Sequence, residues 1–166
     1  MNPAHVHLLL NHIPVIGLWL GIVLYLVALV KKPEWRSLSL GVFVLMAVLT
    51  LPAYLSGEPA EEMLHGWPGI SEATIEEHEE AALPTLITML VLGAVALVGL
   101  VRFRSAGTWS RGYGWFVLVL ALAAGILIGR TAHLGAYIRH PEIRSTTPAT
   151  ASEPNEFQGQ GRQESR

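Results

Sequence analysis

The run Ala81-Ala82-Leu83-Pro84-Thr85-Leu86-Ile87-Thr88-Met89-Leu90-Val91-Leu92-Gly93-Ala94-Val95-Ala96-Leu97-Val98-Gly99-Leu100-Val101 decides the fold, because its 21 residues carry no charged side chain. About 20 apolar residues in a helix cross the hydrocarbon core of a bilayer. Immediately before it stand Glu76, Glu77, His78, Glu79 and Glu80. One helix is therefore expected to start at an acidic, histidine-bearing end and run into lipid. Ser71 is placed to cap it, and Glu72 lies in the first turn, where the positive end of the helix dipole favours a carboxylate.

Three further runs, residues 13–30, 38–55 and 115–129, are long enough or nearly long enough to cross as well. The first and last are short by themselves and are expected to extend through their histidine-bearing ends. Asn2-Pro3 makes a helix start, with Asn2 as cap and Pro3 at the first helical position. Pro14 then falls inside that helix and removes a hydrogen bond, which predicts a kink near His12.

Composition agrees with four spans. Of 166 residues, 51% are hydrophobic and 14% charged, and the mean hydropathy is +0.43. Soluble domains carry about 25% charged residues. The chain reads as an all-α, four-helix transmembrane bundle. Its net charge of -2 and lack of a basic cluster exclude a nucleic-acid partner. It has no cysteine, so disulfides, thiolate catalysis and cysteine-ligated clusters are ruled out. Redox or metal chemistry would rest on histidine, carboxylate or a bound cofactor. No positive charge precedes the first apolar run and no small-residue cleavage site follows it, so Met1 is expected to stay with the mature protein.

Charge in the short loops predicts orientation. Lys31, Lys32 and Arg36 lie between the first two runs, and Arg102, Arg104 and Arg111 between the last two. The first twelve residues and residues 56–80 contain neither lysine nor arginine. By the positive-inside rule the basic loops face the cytoplasm of a bacterial inner membrane, and both termini and the middle loop are extracytoplasmic. Residues 1–144 then form the membrane domain. From Ser145 onward the chain lacks apolar periodicity and reads as a disordered tail.

This topology puts His5, His7, His12, His65, His78, His133 and His140 at one end of the bundle. His7, His12, His78 and His133 sit within about two helical turns of the apolar core. In Arg130-Thr131-Ala132-His133-Leu134-Gly135-Ala136-Tyr137-Ile138-Arg139-His140-Pro141, a helix at roughly 100° per residue aligns Arg130, His133, Tyr137 and His140 on one stripe. Continued backwards, that stripe reads Gly129, Gly125 and Ala121, small residues that admit a flat ring or another helix.

Neutral imidazoles on facing helices can hold a haem iron between them, and arginines such as Arg130 and Arg139 can pair with its propionates. The same side chains can bind zinc or copper. No His-x-x-x-His or His-Glu-x-x-His spacing occurs, however, and His7 and His12 diverge by roughly 140° on a straight helix. The axial candidates are His12, His78, His133 and His140, with His7, Arg130 and Tyr137 beside them. Against these stands a plainer account: interfacial histidines are commonly solvated or hydrogen-bonded, and small-residue stripes serve helix packing, as Gly17 and Gly21 do on the first helix. No nucleophile and base stand at a recognisable spacing, so the chain does not read as an enzyme acting by itself.

The segments His7-Leu8-Leu9-Leu10-Asn11-His12-Ile13-Pro14, Leu51-Pro52-Ala53-Tyr54-Leu55-Ser56-Gly57-Glu58-Pro59-Ala60-Glu61-Glu62, Glu77-His78-Glu79-Glu80-Ala81-Ala82, Arg130-Thr131-Ala132-His133 and Ile138-Arg139-His140-Pro141-Glu142-Ile143-Arg144 are similar to an uncharacterised bacterial family of four-helix inner-membrane proteins. The similarity runs from about Met1 to Arg144 and implies fold and location, not activity. More remotely, helices with histidines at their ends resemble the two-haem cytochrome b membrane proteins, which pass electrons between quinol and other carriers. Those place ligands near both membrane faces, and this chain has no histidine at the basic end. What the resemblance implies is one b-type haem near the outer face, in a part of or partner to a respiratory complex that exchanges electrons with quinol or an extracytoplasmic carrier. The competing expectation is a structural or assembly subunit, or a membrane protein that binds zinc or copper.

Overall fold

The computed structural model describes residues 2–65, 67, 70–106 and 110–139, and among these every regular element is a helix. His140 and the tail from Ser145 lie outside the described residues. Helix α1 spans Pro3–Val30, α2 Arg36–Leu55, α3 Gly57–Glu62, α4 Glu72–Ala106 and α5 Arg111–Arg139, with a 3₁₀ turn at Pro33–Trp35 between α1 and α2. α1, α2, α4 and α5 are each long and apolar enough to cross a membrane, and the chain is a multi-pass membrane protein.

The start of α1 forms as its sequence dictates. The Asn2 side chain accepts a hydrogen bond from the Ala4 amide at 2.9 Å, and Pro3 occupies a position whose missing N–H costs nothing. Ser71 accepts the first amides of α4 through its carbonyl, from Thr74 at 3.0 Å and Ile75 at 3.3 Å. α4 then runs unbroken for 35 residues from the acidic segment into the apolar run. α1 likewise continues through Pro14, whose ring is buried.

In lipid the outer surface is as apolar as the core, so helix rotation is set by packing and not by a polar face. Ile16, Val23, Ile87, Val98 and Ile126 point outward. The core is made by Leu18, Ile22 and Tyr25 of α1, Leu40 and Phe43 of α2, Met89 and Leu92 of α4, and Val117, Ala121 and Ala124 of α5. Glycines let the helices close on one another. A Cβ on Gly21 would stand 2.8 Å from the Phe43 ring, and one on Gly93 would run into the Ala47 methyl.

The helices pack in the cyclic order α1, α2, α4, α5, so that α1 and α4 stand on a diagonal. The start of α1, the end of α2 with α3, the start of α4 and the end of α5 all meet at one end. Of the small stripe on α5, Ala121 is buried in the core, a Cβ on Gly125 would stand 3.3 Å from Trp19 and Ile22 of α1, and one on Gly129 would have nothing within 4 Å. Over the contacts seen, that stripe accommodates a neighbouring helix.

Candidate functional site

The end where these helices meet contains a cavity of about 340 Å³, walled by α1, α3, α4 and α5. Ligand pockets commonly enclose about 300–1,000 Å³. Its lining is mostly apolar, from Leu8, Val15, Ile75 and Ile138, with His7, Asn11, His12, Glu61, His78 and Glu79 as the polar side chains.

His7 of α1 and His78 of α4 meet edge-on across the diagonal. Their ring centroids are 6.3 Å apart, with planes at 89°. Both rings are half-buried and both are held through Nδ1. The His78 Nδ1 lies 2.9 Å from the Thr131 carbonyl oxygen. A carbonyl can only accept, so Nδ1 carries the proton and donates it. The His7 Nδ1 lies 3.0 Å from Ser56 Oγ, and the Ser56 hydroxyl donates its proton to the Ala53 carbonyl at 2.8 Å. With the Ser56 proton on the Ala53 carbonyl, Ser56 Oγ accepts from His7 Nδ1–H. Both neutral imidazoles are left with Nε2 as an unprotonated base. A histidine whose distal N–H is engaged by a carbonyl or similar acceptor is the form that ligates metals.

The supports of these rings explain why they hold their orientation. Thr131 lies in a buried polar layer between α4 and α5: its hydroxyl is 2.9 Å from that of Thr85, and the Thr85 hydroxyl donates to the Ala81 carbonyl at 2.8 Å. Gly135, one turn beyond Thr131, makes room for the His78 ring, since a Cβ there would stand 3.1 Å from Cε1. Gly57 leaves His7 a looser neighbour, 3.8 Å from the corresponding position.

The remaining candidates are distributed around this pair. His12 lines the cavity but is exposed, and its Nδ1 donates to the Leu8 carbonyl one turn back at 2.6 Å. His133 is exposed and packs edge-on against Tyr137 at 4.5 Å, on a face of α5 next to the one that presents Ala132, Gly135 and Ala136 to the cavity. Arg130 is exposed on the same helix. His140 lies outside the described residues. His65 straps α3 to α4, with Glu61 at 3.5 Å and Glu72 at 3.7 Å.

The structure thus unites His7 and His78, sets His12 at the rim, and leaves Arg130, His133 and Tyr137 off the lining. Ser56, Thr131 and Gly135 escaped sequence reading: hydroxyls near helix ends ordinarily bond their own helix, and a glycine's neighbour on another helix has no local signal. Among the described residues no group of three or more histidine, aspartate or glutamate side chains is arranged to hold a metal ion. Comparison of the chain with protein-family models, curated proteins and solved structures finds no match.

Proposed function

We propose that this chain holds one b-type haem at its histidine-bearing end, with His7 and His78 as the axial pair, and takes part in electron transfer as part of or partner to a respiratory complex. The proposal includes a bacterial inner membrane, extracytoplasmic termini and membership of the family that the sequence segments resemble. Basic residues at the opposite end, Lys31, Lys32, Arg36, Arg102 and Arg111, support that orientation.

The observation that carries the reading is the geometry of the two imidazoles. Two rings on one iron have centroids about 6 Å apart, from roughly 2 Å of metal–nitrogen bond and roughly 1 Å of ring on each side. The observed 6.3 Å fits, and both rings are of the tautomer that offers Nε2. Their helices stand diagonally, as helices that clamp a cofactor in a bundle core do. When bound, haem would supply one-electron chemistry, with quinol or an extracytoplasmic carrier as the exchange partner. The protein's own part is to fix two ligands by their distal hydrogen bonds and to surround them with Leu8, Val15 and Ile138, which limit water.

A second reading has its own observation. His7 ties α1 to the end of α2, and His78 ties α4 to α5, so both could serve as interhelical clips in a structural or assembly subunit. Zinc or copper would have two imidazoles and would need ligands from elsewhere. A reduced-minus-oxidised absorbance spectrum of the purified protein, expressed with ample haem supply, separates these. We expect a Soret band and a reduced α-band at one haem per chain. No Soret band sinks the haem reading, and stoichiometric zinc or copper in the same sample would replace it with the metal one.

A further inference from the structure

At the end of the bundle remote from the histidines, a second cavity of about 470 Å³ opens between α1, α2 and α5. Its lining divides by chemistry. Leu26, Leu29 and Leu118 make an apolar wall, and Arg36 of α2 and Arg111 of α5 complete the lining from two separate helices. Among the described residues, no carboxylate contributes to the lining. The helices close tightly beneath: Leu29 would stand 3.2 Å from a Cβ on Gly114, and the Tyr25 hydroxyl donates to the Gly114 carbonyl at 3.2 Å.

We propose that this cavity seats the headgroup phosphate of an anionic phospholipid, with an acyl chain along Leu26, Leu29 and Leu118. Two guanidiniums from separate helices present forked donors that match phosphate oxygens. The cavity lies where α1 ends and α2 and α5 begin, which is the headgroup level of a four-span bundle, and the exposed Trp115 at its edge is an interfacial side chain. Basic pockets between spanning helices select anionic lipid heads. A zwitterionic lipid would carry its own ammonium against the two cations, and a free phosphate ion would leave the leucine wall facing water. The site is independent of any cofactor at the histidine end.

The test uses the full chain purified in a neutral detergent and examined by native mass spectrometry after addition of palmitoyl-oleoyl phosphatidylglycerol, the corresponding phosphatidylcholine, or inorganic phosphate alone. Phosphatidylglycerol adducts are expected to survive activation, and the other two additions to leave none. Arg111→Gln and Arg36→Gln are each expected to weaken retention about fivefold, with Lys31→Gln as an unaffected control. Arg111 is exposed, so its variant does not depend on the core and keeps the test decisive if Arg36→Gln fails to fold. Equal retention of the two lipids, retention of phosphate alone, or full retention in Arg111→Gln would overturn the proposal.

Discussion

His7 and His78, 71 positions apart in the chain and on helices that stand diagonally in the bundle, meet with ring centroids 6.3 Å apart. If they are the axial pair, each is indispensable and neither can be replaced by a histidine nearby. His7→Ala and His78→Ala are therefore expected to abolish the Soret band of protein purified with haem. His12→Ala at the rim and His133→Ala outside the lining are expected to keep it. Loss in His133→Ala with retention in His7→Ala would reassign the ligands.

Ser56 is the acceptor that fixes the His7 ring, and its own proton is committed to the Ala53 carbonyl. Ser56→Ala leaves the His7 N–H half-buried without that partner, at a cost of about 1 kcal/mol. Removing such an outer partner lowers metal affinity roughly 10–100-fold. Ser56→Ala is thus expected to lose haem faster to an apo-globin acceptor than the parent while retaining its helical circular dichroism. An unchanged rate of loss would mean that the Ser56 contact does not orient a ligand.

How far the chain could be read before its structure was known depends on what lipid does to sequence signals. The spans were legible, because length and lack of charge suffice and residues 81–101 supply both. That the histidines of the described residues gather at one end followed from counting spans. Which of them face inward did not follow, since a membrane helix has no polar side to betray its rotation: Met89 and Ile87 are both apolar, yet one is buried and the other outward. The rotation of α5 that shows Gly135 to the cavity and His133 to the outside comes from contacts such as Gly125 with Trp19 and Ile22, which join residues about a hundred positions apart.

Two glycines of α5 give opposite expectations for the same substitution. At Gly129 a Cβ meets nothing within 4 Å, so Gly129→Ala keeps the packing and gains helix propensity, up to about 1 kcal/mol. At Gly135 a Cβ would stand 3.1 Å from His78 Cε1, and the ring is tethered by its bond to the Thr131 carbonyl. Thermal unfolding in detergent should show Gly129→Ala at or above the parent midpoint. Gly135→Ala should displace the His78 ring and weaken haem retention. Equal behaviour of the two variants would show that His78 moves freely and that Gly135 does not define its seat.

The α2–α4 contact sets the distance between the two halves of the bundle, and it rests on Gly93 lying directly against Ala47. A Cβ at Gly93 would overlap the Ala47 methyl, with the Phe43 carbonyl oxygen 3.8 Å away, and neither neighbour has a rotatable end that could swing aside. Close approach of this kind is how spanning helices associate, because lipid gives no hydrophobic drive to hold them. Gly93→Leu must therefore part α2 from α4, with overpacking costs of about 1–3 kcal/mol or more. The expected result is a lower melting midpoint and a broadened size-exclusion profile in detergent. Ala47→Gly should recover part of the loss in Gly93→Ala, since it removes the opposing methyl. A Gly93→Leu protein as stable as the parent would show that the two helices do not pack at this point.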